Sequence, residues 1–477
     1  VATPDGAGPD PLHLLTALEQ GAAVRRGDVS PVELAEHHLR LLDDVGAFVT
    51  RDAERALAAA RALPASGESP LFGVPTAIKD LNPTAGTRTT FGSAAWNDFV
   101  PTFSDNVTLS IEAAGMVWLG KTSTPEFGSP AYTEPEGRPA AVTPWDRTRG
   151  AGGSSGGAAA AVAAGLVPVA QGSDGGGSIR IPASCCGIVG LKPSRGRVSA
   201  APTYGDPVGL ATAGSLARTV ADAAAMLDVL AGHRVGDPSW APEPAGTFLS
   251  ATRRDPGRLR IARFIDPVIT VTDVDAECVR AWEDASLLLE SLGHEIVDVE
   301  VPLPPEARAV FEVCWSVLTA LSSAPEGREH LLRPLTRWLS EKGRAVSGPE
   351  FGLAIGEVRR IAAAALEALA PYDAVLTPTL ASPPVPVGAL RDDADPAGDF
   401  EAQCRFTPWT SAWNVTGMPA VSLPTHWTAD GLPVGVMLAG RPAQDELLLS
   451  LSAQVEAVSD WTGRRPPPAR QFGHSAP

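Results

Sequence analysis

Lysine is nearly missing from this chain of 477 residues: among 38 basic side chains, only Lys79, Lys121, Lys192 and Lys342 are lysines. Arginine, the usual cation here, does not give up its proton at working pH, whereas a desolvated lysine does. Each lysine is therefore a candidate proton carrier. No histidine occurs between His38 and His233, so an imidazole base would have to come from elsewhere in the chain. The five cysteines (Cys185, Cys186, Cys278, Cys314, Cys404) form no Cys-x-x-Cys pair and two are adjacent. That spacing suits buried thiols better than bridges or zinc ligands. No His/Cys/Asp/Glu cluster has metal-ligand spacing, so neither a metal nor another cofactor is expected. No apolar run reaches the length of a membrane span. Residues 1–10 lack the basic start and apolar stretch of a secretory leader, and the expected location is the cytoplasm. A formal net charge of −17 repels phosphate backbones and anionic lipid surfaces, which argues against nucleic acid or a membrane as partner.

What the chain has in abundance is glycine (47) and proline (45), which promise tight turns and close backbone approaches. Residues 12–26 and 31–63 read as helices. Ser30-Pro31 has the form of an N-cap followed by proline at the first helical position, with Glu33 placed for a capping box. Short apolar runs at 73–78 and 116–120 read as buried strands around a helix at 108–115, a β-α-β unit. Further strands are expected at 166–171, 187–191, 374–378, 420–424 and 433–438, and helices at 155–164, 219–230 and 444–458. No internal repeat is present. The pattern predicts an α/β protein, a central mixed sheet flanked on both faces by helices. One domain, 1–477, is expected. Its parts are N-terminal helices (1–64), a core (65–232), a variable, proline-rich region that shapes a cleft (233–345) and a C-terminal return to the core (346–477).

The chemistry concentrates in residues 150–180. Gly152-Gly153-Ser154-Ser155-Gly156-Gly157 is followed, after a helix and a strand, by Asp174-Gly175-Gly176-Gly177-Ser178-Ile179-Arg180. A phosphate cradle would need Lys-Ser/Thr after its second glycine, and neither loop has it. A Gly-x-Ser-x-Gly elbow centred on Ser154 would need a strand leading into it, and 143–149 is polar with a Pro-Trp turn. Glycines that merely allow close helix–sheet packing remain an alternative for either loop alone. Three glycines before Ser178 leave backbone N–H groups free to converge on a developing oxyanion. A serine nucleophile needs a base within reach. Lys79, at the end of an apolar strand, is open to two readings: a desolvated base, or a structural lysine paired with Asp80.

These residues resemble the amidase signature family. The two glycine-serine runs carry the resemblance, with Gly73-Val74-Pro75, Ile78-Lys79-Asp80, Gly120-Lys121-Thr122, Pro144-Trp145-Asp146, Gly190-Leu191-Lys192-Pro193 and Gly431-Leu432-Pro433-Val434-Gly435 in matching order. The resemblance implies the family's α/β fold and hydrolysis of a carbon–nitrogen amide bond in a small-molecule amide. It implies Ser178 as nucleophile, Ser154, joined by a cis peptide, as proton relay, and Lys79 as general base. Gly175, Gly176 and Gly177, with the N–H of Ser178, would form the oxyanion hole, and Ser155 and Asp174 would support the loop. The chain departs from the commonest pattern at Gly175, where many relatives carry a side chain. That variant is similar to hydrolases of cyclic amino-acid oligomers, which makes a cyclic or linear oligomer amide a candidate substrate and Cys314 a candidate cleft residue. Phe127, Gly128, Trp315, Trp409 and Asn414 are further candidates for the substrate pocket. The expected assembly is a monomer or homodimer. Two other functions fit part of the pattern: the amidase subunit of a glutamine-dependent transamidation complex, and an esterase with a histidine base.

Overall fold

A computed structural model describes residues 12–41 and 43–467. Eleven strands run through the described chain: β1 (Phe48–Arg51), β2 (Pro75–Lys79), β3 (Val117–Thr122), β4 (Val169–Asp174), β5 (Val189–Lys192), β6 (Thr212–Ala217), β7 (Arg260–Arg263), β8 (Glu295–Asp298), β9 (Ala374–Pro378), β10 (Ala420–Trp427) and β11 (Pro433–Gly440). They form a small sheet ordered β1-β3-β2 and a large one ordered β4-β6-β5-β10-β11-β9-β7-β8. Pairing is mixed. β2/β3, β7/β8 and β7/β9 are parallel, and the other pairs are antiparallel.

Side-chain alternation shows why the large sheet is covered on both faces. Along β11, Val434, Val436 and Leu438 enter one core, with the helices Val220–Leu230, Ala276–Ser291 and Asp445–Ala457. Met437 and Ala439 enter another, with the helices Ala307–Leu321 and Gly348–Leu369. The helix Gly156–Ala163 is buried at every position. A Cβ on its Gly157 would lie 2.4 Å from both Ala47 O and Ser123 N, so only glycine permits this approach. No helix among the described residues is long and apolar enough to cross a membrane.

Two expectations change. The helix expected over 31–63 ends at Arg40, and the chain forms β1 before a second helix, Ala53–Ala62. Residues 48–51, Phe-Val-Thr-Arg, pair with β3 instead of extending a helix. The capping box of Ser30 and Glu33 is present at the start of the first segment. Region 233–345, expected to shape a cleft, also supplies β7 and β8, which complete the large sheet. Their short, charged sequences, Arg-Ile-Ala-Arg and Glu-Ile-Val-Asp, carry little strand signal.

Candidate active site

The two sheets meet where β2 runs beside β4, and side chains join them. Thr76 Oγ1 donates to Val169 O at 3.0 Å, and the Lys79 N–H donates to Gln171 Oε1 at 2.9 Å. This brings the end of β2 against the end of β4. Lys79 Nζ lies 2.8 Å from Ser154 Oγ and 3.1 Å from Ser173 Oγ. It makes no ion pair with Asp80, which accepts instead from the N–H and hydroxyl of Thr90. Complete burial pulls the Lys79 amine down to about 7, and the Asp174 carboxylate opposes that shift only in part. The Gly153–Ser154 peptide is cis. Ser155 ties the two glycine loops together: its N–H donates to Ser178 O at 3.0 Å and its hydroxyl to Ser173 O at 3.2 Å.

β4 runs straight into the 175–178 loop, and the helix Arg180–Cys186 follows, so Ser178 stands on a strand–turn–helix bend. Asp174 organises that bend. Its carboxylate accepts from the Gly177 and Ile179 N–H groups at 2.9 and 3.1 Å, and takes both arms of the buried Arg180 guanidinium. Burial pushes this carboxyl up, but the Arg180 charge, then Lys192 and the Asn414 amide, hold it well below the usual range.

The loop's peptide planes are fixed one by one. In a trans peptide the C=O and the following N–H point opposite ways. Asn414 Nδ2 donates to Asp174 O at 3.0 Å, so the Gly175 N–H faces away from Asn414. Gly177 O accepts from the Ile181 N–H at 2.8 Å, so the Ser178 N–H faces away from the following helix. Thr410 Oγ1 donates to Gly176 O at 2.6 Å, while the Gly177 N–H is held by Asp174. The N–H groups of Gly175, Gly176 and Ser178 bond to no described residue, and neither does Ser178 Oγ. Of the expected oxyanion donors, Gly177 is thus the one already engaged, because its N–H faces the Asp174 carboxylate.

One cavity adjoins this loop, and a second reaches Ser173 near the end of β4. The first is small, about 60 Å³, and is bordered by Gly176, Ser178, Phe311, Trp315 and Cys404 among others. The second is larger, about 640 Å³, and is bordered by Phe127 and by Ser173, the hydroxyl neighbour of Lys79. Phe127 and Trp315 therefore face cavities, and Gly128 sits where a Cβ would lie 3.2 Å from Ser154 Oγ. Three expectations are corrected. Cys314 is wholly buried in the core and borders neither cavity, although it directly precedes Trp315 on the helix whose Phe311 and Trp315 do; the cavity thiol is Cys404, which burial pushes up to about 12. Trp409 is a core residue whose Nε1 donates to Asp266 O. Asn414 lies beneath the loop, not in the pocket.

Sequence reasoning missed Ser173, Thr410, Phe91, Phe311 and Cys404. Ser173 had a signal: it shares a strand face with Gln171 by the alternation of β4, and both reach Lys79. Phe91 and Phe127 adopt left-handed backbone, with φ of 52° and 51°, and the Phe127 N–H donates to Phe91 O at 2.7 Å. Such conformations cost about 1–3 kcal/mol each and cluster at functional sites. The imidazoles of His38, His294 and His426 bond to Leu166 O, Gln454 and Glu277, away from the serines.

The chain is similar to known proteins in sequence and in fold. A family model described as Amidase matches residues 36–449. A putative amidase of Synechocystis sp. is 36% identical, over 93% of this chain and 88% of that protein. The 6-aminohexanoate-cyclic-dimer hydrolase of Pseudomonas sp. is 34% identical, over 94% and 96%. A solved structure of a 6-aminohexanoate cyclic dimer hydrolase has a TM-score of 0.88 at 32% identity and covers 95% and 99%. A bacterial aryl acylamidase structure has a TM-score of 0.85 at 26% identity, covering 95% and 98%.

Proposed function

The chain belongs to the Amidase family and is an amide-hydrolysing enzyme, and from that premise we propose that it works through an acyl-enzyme on Ser178, with Ser154 as relay and Lys79 as base. The observation that carries this reading is the 2.8 Å contact between Ser154 Oγ and a fully buried Lys79 whose amine titrates near 7. A neutral amine there accepts a proton, which a lysine at its ordinary value would not do.

The reaction begins when Ser178 Oγ attacks the amide carbonyl carbon. Its proton passes to Ser154 Oγ, and the Ser154 proton passes to Lys79 Nζ. The transfer needs Ser178 Oγ within hydrogen-bond reach of Ser154 Oγ, a kind of contact that tightens with substrate in many enzymes. The N–H groups of Gly175, Gly176 and Ser178 hold the oxyanion. As the C–N bond breaks, Ser154 protonates the leaving amine and Lys79 restores the Ser154 proton. Water then attacks the Ser178 ester by the same relay, releasing the acid and the free serine. Overall, one amide and one water give one acid and one amine.

Substrate is a small-molecule amide. Rapid quenching during turnover, followed by mass spectrometry of the peptide containing Ser178, tests the intermediate. An acyl adduct on Ser178 is expected; turnover with the adduct on Ser154, or on neither serine, overturns the assignment.

A further inference from the structure

The two cavities differ in size, in lining and in their position relative to the proton relay. The small one touches Ser178 and Gly176. The large one touches Ser173, whose hydroxyl is 3.1 Å from Lys79 Nζ. Trp315 stands at the boundary. Its ring would be 3.6 Å from a Cβ on Gly175, with Ala211 of the large cavity at 3.8 Å from the same point. Trp315 Nε1 donates to Ser129 Oγ at 3.1 Å, which fixes the indole in that position. A methyl at Gly175 would touch this indole at ordinary van der Waals distance, and a longer side chain would have to share the indole's place.

Chemistry decides which part of an amide goes where. The amine must leave with a proton from the relay, so its nitrogen lies on the Lys79–Ser173 side. The acyl carbon stays on Ser178 after the amine departs, so its chain extends toward Gly176 and Trp315. About 60 Å³ holds a chain of roughly two to four heavy atoms, whereas about 640 Å³ is the size of a pocket for a bulky group.

The lining of the large cavity indicates what that group is. Phe91, Trp96 and Phe99 pack on one another with ring centroids 5.0–5.9 Å apart, and Phe103 and Phe127 add to the wall. The carboxylates at its border are already committed. Asp105 accepts from Asn82 and Thr108, Asp237 from Ser199 and Arg234, and Asp206 from the N–H groups of residues 208–211. Recognition is therefore aromatic and apolar rather than cationic.

We propose that the enzyme cleaves amides of short carboxylic acids with alkylamines that carry a bulky aromatic group, the acyl group in the small cavity and the amine in the large one, with Trp315 limiting acyl length. This rests on the Ser178 acyl-enzyme described above. The test is a set of four amides with alkylamine leaving groups of similar basicity: N-(2-phenylethyl)acetamide, N-ethylacetamide, N-(2-phenylethyl)octanamide and N-ethyloctanamide. The phenylethyl acetamide is expected to have the highest kcat/KM, at least about tenfold above N-ethylacetamide and above either octanamide. Trp315→Ala is expected to raise the octanamide-to-acetamide ratio by about tenfold or more. Phe311→Ala, which opens the same cavity without removing the Trp315–Ser129 bond, is expected to raise it in the same direction. An octanamide preferred by the wild type, no advantage for the phenylethyl amine, or an unchanged ratio in both folded variants overturns the proposal. Labelling with a small fluorophosphonate separates the two readings. Ser178 labelled with the reverse preference refutes only the division of the substrate; Ser178 unlabelled and unacylated refutes the nucleophile itself.

Discussion

Asn414 Nδ2 donates to the main-chain carbonyl of Asp174 at 3.0 Å, and through that bond a side chain 240 residues away in sequence turns the Gly175 N–H away from itself. The same amide also donates to Asp174 Oδ1 and to Leu210 O, and its oxygen accepts from Arg180. Asn414→Ala frees the peptide plane and leaves buried charge short of partners. Stability is expected to fall by about 2–3 kcal/mol and kcat by about 10- to 100-fold, with KM changed far less. Thermal denaturation and steady-state kinetics measure both.

Thr410 gives a milder test of the same idea. Its hydroxyl donates to Gly176 O, and Thr410→Val removes that donor while keeping the shape. An expected loss of about tenfold in kcat, restored by Thr410→Ser, would separate loop positioning from bulk packing.

Under the proposed mechanism Lys79 governs the pH profile: the base is the neutral amine, and burial brings its value down to about 7. Activity is therefore expected to be low below that pH, to rise through it and to level off above. The sign for stability is the same: folded Lys79 sheds its proton earlier than the unfolded chain, so its unfavourable effect is relieved as pH rises from about 7 toward 10.5. Lys79→Arg keeps the charge but cannot accept the proton, and kcat is expected to drop by about 10³-fold or more.

The glycines of the loop are not equivalent. Gly177 has φ of 129°, and a Cβ there would lie 2.4 Å from Thr410 Oγ1. Gly177→Ala is expected to destabilise by about 1–3 kcal/mol and to abolish most activity. Gly175→Ala meets only ordinary contacts at 3.6 Å and beyond, and a stability within about 0.5 kcal/mol of the parent is expected. Equal effects at the two positions, read by chemical denaturation, would contradict the loop geometry.

The core strands and the glycine-serine loops were legible because they are short apolar runs and dense local motifs. Scarcity of lysine was a weaker guide than it looked. Lys121 and Lys192 are buried too, with amines lowered to about 8 and about 7, yet they bond to Thr84 and to Pro193 O. Lys79 differs in which hydroxyls surround its Nζ: Ser154 and Ser173 of the glycine-serine segment, where Lys121 has Thr84 and Thr89. The pocket was hidden as well. Cys314 and Cys404 differ by which helix face meets the cavity, and residues 404 and 410–414 reach the loop only through tertiary packing. Strands as short and polar as β7 and β8 are set by their neighbours in the sheet, not by their own propensity.

The most direct test of the central claim is fluorophosphonate labelling of the wild type, Ser178→Ala and Ser154→Ala, read by intact mass and by the modified peptide. The expected result is one adduct on Ser178 in the wild type, none in Ser178→Ala, and slow labelling at Ser178 in Ser154→Ala. Undiminished labelling of Ser178→Ala, with the adduct on Ser154, would contradict it.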